Sequence, residues 1–203
     1  MIWPPPEVPL EGSLVRLEPL VEEHREPLRS VAGHPEIWEW IERTLPEEDD
    51  GFDKWFESRL LARKLGEEHA YATLTASGSP LGSSSYLAPR PIHDGVEVGW
   101  TWLTPSAWRT GANVEAKLLM LGFAFEQLGC MRVELKTDAR NQRSRGAMEA
   151  LPATFEGIFR KHMLIPGIGV RDSAYFSVVD DEWPAVRQNL ERRLAGAREV
   201  ESA

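Results

Sequence analysis

Apolar and polar residues alternate along several stretches of the chain and recur at helical spacing along others. Alternation is typical of strands with one buried face, and it predicts strands at residues 13–20, 69–76, 81–89, 96–105, 131–138, 153–166 and 170–180. Apolar residues three or four positions apart are typical of helices packed on a core. They predict helices at residues 21–33, 49–66, 108–128, 141–151 and 181–196.

Capping and turn-forming residues bound several of these elements. Asp49 or Asp50 is placed to cap the second helix, and Asn141 to cap the fourth. Pro166-Gly167 is expected to turn the last two strands back on each other. Gly99 interrupts the fourth strand, and a glycine inside a strand often marks a bulge. We therefore expect a break in regular pairing at Gly99.

The order of the elements indicates the fold class. Adjacent strands favour hairpins, whereas strands separated by a helix favour parallel pairing. The sequence therefore predicts a single α/β (α+β) domain with a mixed sheet over residues 13–180. The proline-rich residues 1–12 are expected to form an extended arm, and residues 181–203 an amphipathic helix and tail.

The chain is acidic and nearly free of cysteine. Its 203 residues carry a formal net charge of −9, and Cys130 is the one cysteine. An internal disulfide is therefore excluded, and a cysteine zinc site is disfavoured. The five histidines show no metal-ligand spacing, so we expect no metal. The charge argues against nucleic acid as a partner and is compatible with a cationic amine.

No segment has the pattern of a signal peptide or a membrane span. The start, MIWPPPEVPLEG, lacks a basic flank and a long apolar run, and no stretch reaches the ~20 apolar residues that a spanning helix needs. We expect a cytoplasmic protein with no membrane partner. The amphipathic C-terminal helix could support a homodimer or cover the sheet, and both interpretations stay open.

The stretch WRTGANVEAKLLML, residues 108–121, joins an arginine and a glycine to an apolar helix. The first turn of a helix leaves N–H groups unpaired and carries the positive end of the helix dipole. Gly111 and Ala112 leave those groups accessible and Arg109 adds a positive charge, which suits a phosphate or pyrophosphate. The spacing is neither a P-loop nor a dinucleotide fingerprint. An ordinary core helix is the alternative.

Three segments, in this order along the chain, resemble one protein family. The strand VEVGWTWL, residues 96–103, is similar to the family's Glu-Ile-Gly-Tyr-x-Leu strand. Residues 108–116 match the family's pyrophosphate loop but have Asn113 where glycine or alanine is usual. NQRS at 141–144 matches an Asn-x-x-Ser helix start, although Pro152 later stands where the family has glycine. Together they resemble the GNAT superfamily of acyl-CoA-dependent N-acetyltransferases, in particular the branch of ribosomal-protein N-terminal acetyltransferases (RimJ/RimL-like).

This resemblance implies a mostly antiparallel central sheet with one splayed parallel pair and helices on both faces. It implies acetyl-CoA as co-substrate, with its pyrophosphate on the loop at 108–113 and its pantetheine arm along the preceding strand. The co-substrate-binding residues expected on this basis are Trp102, Leu103, Thr104, Arg109, Thr110, Gly111, Ala112, Asn113, Asn141 and Arg143.

The resemblance also suggests two catalytic residues. Glu97 is the candidate base that takes a proton from the acceptor amine, since partial burial would raise its pKa; pairing with a nearby arginine is the alternative. Ser144 is the candidate contact for the CoA sulfur, and a hydroxyl bonded inside the first helical turn is the alternative.

The expected function is transfer of acetyl from acetyl-CoA to a primary amine, either a protein or peptide N-terminus or a small amine. Two alternatives stay open: a CoA-binding or protein-interaction module without catalysis, and transfer of another acyl group such as succinyl.

Overall fold

An eight-stranded sheet runs through the molecule. In the computed structural model, residues 1–41, 51–165 and 169–201 are described, the last four for their backbone only. The strands are β1 (Leu10–Glu11), β2 (Val15–Pro19), β3 (Glu68–Thr75), β4 (Pro80–Arg90), β5 (Gly95–Leu103), β6 (Arg132–Asp138), β7 (Thr154–Ile165) and β8 (Gly169–Val179). They lie in the order β1-β2-β3-β4-β5-β6-β8-β7, with every pairing antiparallel except β5 with β6.

Helices cover both faces of this sheet, as predicted. They are α1 (Arg25–Ala32), α2 (Pro35–Trp38), α3 (Gly51–Lys64), α4 (Ala112–Glu126), α5 (Gln142–Ala150) and α6 (Trp183–Glu201). One core packs α4 and α6 against one face around Tyr86, Met120 and Leu190. The other packs α1, α2 and α3 against the opposite face around Trp38, Trp55 and Trp102.

The two terminal segments belong to these layers. Leu10 of the proline-rich segment is buried and pairs with Leu17 of β2, so the expected arm supplies the edge strand of the sheet. The helix expected after residue 181 packs on α4 and buries Val186 and Leu190 in the main core. Its apolar stripe is therefore part of the layer that α4 forms on the sheet.

The splayed parallel pair lies at the centre of the sheet. β5 and β6 pair only from Gly95 with Arg132 to Glu97 with Glu134, and beyond these residues the described pairing ends. The antiparallel pairing of β4 with β5 also shifts its register there. Ser83 faces Trp102 and Ser85 faces Gly99, so one residue of β4 lies opposite two residues of β5.

The bulge falls one residue later than the sequence predicts. Trp100 takes the left-handed conformation, with φ of +48°. Gly99 itself pairs regularly with Ser85. Its missing side chain serves another purpose, since a Cβ there would lie 3.0 Å from Glu97 Oε1.

Two other predicted boundaries differ. The helix expected from residue 108 begins at Ala112, because Arg109 and Gly111 have φ of +66° and +83°, which an α-helix cannot include. The short helix α2 was not predicted from the sequence. The caps expected at Asp49 or Asp50 and the turn expected at Pro166-Gly167 lie outside the described residues.

Candidate active site

A cleft of about 770 Å³ opens where β5 and β6 separate. Its walls come from the outer half of β5, the segment before α4, the start of α5 and the middle of β6. The predicted site residues on its walls are Glu97, Trp102, Leu103, Arg109, Gly111, Asn113, Asn141, Arg143 and Ser144. Thr104, Thr110 and Ala112 were also predicted and do not line it. The fold thus gathers most of the predicted residues around one opening.

The start of α4 presents backbone donors to this cleft. The first intrahelical bond runs from Glu115 N–H to Gly111 C=O. Within the described part of the chain, the N–H groups of Gly111 and Asn113 have no hydrogen-bond partner. The Thr110 hydroxyl donates to Ala107 C=O at 2.8 Å, which ties its side chain to the loop. Free N–H groups at a helix start form a site for an anion.

The charge lining the cleft is opposite to that of the whole chain. Among the described residues, six cationic side chains and one carboxylate, Glu97, line it. The cations are Arg109, Lys117, Lys136, Arg143, Arg171 and Arg193. In a chain of net charge −9, such a concentration of positive charge favours an anionic ligand.

Of the arginines near the start of α5, only Arg143 faces the cleft. Its guanidinium lies 4.3 Å from the ring centre of Trp108, whose indole N–H donates to Leu103 C=O at 2.8 Å. Arg140 pairs with Asp138, and Arg145 donates to Ala139 C=O. Trp108 therefore fixes Arg143 beside the outer end of β5.

Glu97 is a buried, ion-paired carboxylate on β5. Its Oε2 accepts a hydrogen bond from Lys136 Nζ at 2.8 Å, so the predicted pairing partner is a lysine and not an arginine. Burial raises the pKa of Glu97, and the charge and hydrogen bond of Lys136 oppose that rise. Gly99 leaves the space that the carboxylate occupies. A buried carboxylate of raised pKa is suited to accept a proton.

Asn141 and Ser144 meet at the start of α5. Asn141 Oδ1 accepts the Ser144 N–H at 3.0 Å, which confirms the predicted cap. Within the described part of the chain the Ser144 hydroxyl has no hydrogen-bond partner, so the bond inside the first helical turn, which was the alternative to the sulfur contact, is absent there. The hydroxyl is available to a ligand in the cleft.

Backbone N–H and C=O groups at the end of β5 point alternately toward β4 and toward the cleft. Thr104 N–H donates to Leu81 C=O at 2.7 Å, and a Cβ on Gly82 would collide with the carbonyl of Trp102. Both groups therefore point toward β4. Because backbone groups alternate along a regular strand, those of Leu103 and the C=O of Thr101 point toward the splayed side, where the Leu103 C=O accepts the Trp108 indole N–H. The Trp102 side chain packs between Trp38 and Trp55.

Four of the cationic residues that line the cleft were missed from the sequence: Lys117, Lys136, Arg171 and Arg193. Lys136 reaches Glu97 through the register between β5 and β6, which no local signal in the sequence shows. Lys117 had a visible signal, since it is the one charge in the otherwise apolar stretch AKLLMLGFAF, residues 116–125. Arg171 and Arg193 reach the cleft only through tertiary packing.

Glu115, which the loop motif includes, has a structural role. Its carboxylate accepts the N–H groups of Ser13, Leu14 and Val15 and the Ser13 hydroxyl, at 2.6–3.0 Å. Burial opposes ionisation, but these bonds hold the pKa of Glu115 below its usual value. A Cβ on Gly12 would lie 2.5 Å from this carboxylate. The residue anchors the start of β2 to α4.

Neither a metal-binding cluster nor a membrane-spanning helix occurs among the described residues. None of their His, Cys, Asp and Glu side chains form a group of three that could hold a metal ion. None of the helices in these segments is long and apolar enough to cross a membrane.

The splayed sheet, the helix start and the cation-lined cleft define an acyltransferase architecture. Residues 15–154 match the family model described as an acetyltransferase (GNAT) domain. The chain therefore belongs to the GNAT acetyltransferase family, and it is an N-acetyltransferase.

Solved structures of similar proteins agree with this assignment. A GCN5-related N-acetyltransferase from Brucella melitensis is 33% identical over 94% of this chain and 86% of its own, with a TM-score of 0.85. A protein from T. thermophilus classed as an acetyltransferase is 36% identical over 95% of this chain and 100% of its own, with a TM-score of 0.84.

RimJ of Mycobacterium smegmatis, solved in complex with CoA-disulfide, has the same fold. It is 17% identical over 94% of this chain and 93% of its own, with a TM-score of 0.76. No curated protein matches the chain.

Proposed function

We propose that the protein transfers the acetyl group of acetyl-CoA to a primary amine, which is a peptide N-terminus or a small amine. The observation that carries this proposal is the coincidence of free N–H groups at Gly111 and Asn113 with a cation-lined cleft. Such a site suits the diphosphate of an acyl-CoA. The acidic balance of the chain favours a cationic acceptor.

The co-substrate would lie along the cleft from α4 toward the bulge in β5. Gly111 and Asn113 would donate backbone N–H groups to its diphosphate, and Arg109 and Arg143 would add charge-assisted bonds. The pantetheine amides would bond to the backbone of Leu103 and Thr101 as an added strand does. In this proposal the backbone of Thr101, and not that of Trp102 or Thr104, would bond to the pantetheine arm together with Leu103.

The reaction is direct attack of the amine nitrogen on the thioester carbon. Glu97 would accept the ammonium proton of the acceptor, so that the nitrogen lone pair becomes available. The new C–N bond forms, the C–S bond breaks, and the electron pair remains on sulfur as a thiolate. The Ser144 hydroxyl would donate a hydrogen bond to that sulfur.

Binding and turnover test this proposal separately. Calorimetry with CoA should give saturable binding, and a hundredfold excess of CoA over its Kd should stabilise the fold by ~2.7 kcal/mol. Arg143→Gln should weaken CoA binding, whereas Arg145→Gln, a matched control two residues away outside the cleft, should not. Absence of CoA binding would refute the proposal.

An acceptor screen then identifies the reaction. Acetyl-CoA with a panel of amines and short peptides should release free thiol and give a product heavier by one acetyl group. Succinyl-CoA in the same panel tests the alternative acyl group. Tight CoA binding with no acceptor across the panel would instead favour the binding-module alternative.

A further inference from the structure

Lys117 is a buried lysine in the wall of the cleft, on the face of α4 that meets the sheet. Its Nζ donates to Thr101 Oγ1 at 2.7 Å and lies 3.3 Å from Ser84 Oγ. These two hydroxyls are 2.6 Å apart. Thr101 follows the left-handed Trp100 in the bulge of β5. The ammonium group is therefore tied to the point where the sheet opens.

The partners of Lys117 are hydroxyl groups and not carboxylates. Within the described segments, no salt bridge includes it, and burial lowers its pKa to about 7. A buried charge without a counter-ion is costly, and apolar side chains surround this position on α4. A lysine that is held by hydroxyl groups alone is suited to meet an anionic group of a ligand, which would supply the missing counter-charge.

The other cations of the cleft have different positions or partners. Arg109 and Arg143 lie beside the start of α4, at the end proposed for the diphosphate. Lys136 is bonded to Glu97. Lys117 lies six residues beyond Gly111, or roughly 9 Å along the helix axis, and beside the bulge. An ammonium group has three donors, so one remains after the two hydroxyls.

We propose that the Lys117 ammonium binds the sulfur end of the acyl-CoA and stabilises the thiolate that leaves. This rests on the proposed function. When the amine attacks, the C–S electron pair passes to sulfur, and Lys117 offsets the new negative charge through a charge-assisted hydrogen bond. The acceptor nitrogen loses two protons: the first passes to Glu97 and from there to solvent, and the second, lost once the C–N bond has formed, protonates the thiolate, so the products are the amide and CoA thiol.

Comparison of CoA with desulfo-CoA, in which hydrogen replaces the thiol, tests this role without turnover. Wild-type protein should bind CoA about tenfold more tightly, as expected for a charge-assisted hydrogen bond. Lys117→Met should lose most of this preference, and the remainder is the contribution of the proposed Ser144 hydrogen bond to the sulfur. Lys136→Met, which also removes a cleft ammonium, should keep the wild-type ratio. The thiolate absorbance of bound CoA should appear at lower pH in wild type than in Lys117→Met.

Thermal unfolding separates this role from a structural one. Without ligand, Lys117→Met should be at least as stable as wild type, because it removes an uncompensated buried charge. Lys117→Arg keeps the charge and should keep part of the preference for CoA. If Lys117→Met keeps the wild-type preference for CoA, the inference is wrong while the proposed function stands. If wild type binds CoA and desulfo-CoA equally, the inference and the proposed Ser144 contact are both wrong, while acetyl transfer itself stands. If CoA itself does not bind, both fail.

Discussion

Replacement of Glu97 by glutamine tests the proposed proton acceptor with little change of shape. Glutamine keeps an oxygen that can accept the bond from Lys136 Nζ, now 2.8 Å from Glu97 Oε2, but it cannot accept a proton near neutral pH. Because a positioned base contributes about 10²- to 10⁴-fold to rate, kcat should fall by that factor, which equals about 2.7–5.4 kcal/mol of transition-state stabilisation. Thiol release with the best acceptor of the screen measures it.

The pH dependence of the rate tests the same role of Glu97, because the direction of its shift is predicted. A base must be deprotonated to act, so the rate should rise with pH through the pKa of Glu97, which burial raises. Lys136 opposes that rise. Lys136→Met should therefore move this limb of the profile to higher pH, and Glu97→Gln should abolish it.

Two measurements make the outcome decisive. Calorimetry with CoA should give an unchanged Kd for Glu97→Gln, since the proposed diphosphate site is at the start of α4, away from Glu97. A fall in kcat of less than threefold (roughly 0.6 kcal/mol), or a limb that stays in place in Lys136→Met, would refute the role of Glu97 as base.

Three other substitutions probe the supports of the cleft. Gly99→Ala places a Cβ 3.0 Å from Glu97 Oε1 and should lower kcat by about tenfold or more with CoA affinity unchanged; equal kcat by thiol release would contradict the packing argument. Gly111→Ala, at φ +83°, should cost about 1–2 kcal/mol in urea unfolding and weaken CoA in calorimetry, and an unchanged Kd would count against the site at α4. Glu115→Gln should cost about 2 kcal/mol in urea unfolding with kcat retained. Because bonds hold the pKa of Glu115 low, its contribution is present above the unfolded pKa and lost as pH falls; a pH-independent difference would exclude that contribution.

The sequence predicts the fold well where its pattern is local. Alternation and helical spacing locate the strands, the helix α4 and the Asn141 cap, because burial and capping act over a few residues. The bulge is less predictable. A glycine inside a strand suggests Gly99, yet Trp100 takes the left-handed conformation, and the space at Gly99 is used by the Glu97 carboxylate instead.

The site is only partly visible in the sequence, because its walls meet through tertiary packing. Motifs point to Gly111, Asn141 and the strand of Glu97, whose local residue types are distinctive. The partner of Glu97 depends on the register between β5 and β6, and no local signal shows that register. Arg193 lies far along the chain and reaches the cleft because α6 packs on α4.

Crystals grown with CoA would test the central claim most directly. The account predicts the diphosphate within hydrogen-bond distance of the backbone N–H groups of Gly111 and Asn113, the pantetheine arm beside Leu103, and the sulfur at the bulge of β5. Phosphate density away from the start of α4, or an empty cleft at saturating CoA, would contradict it.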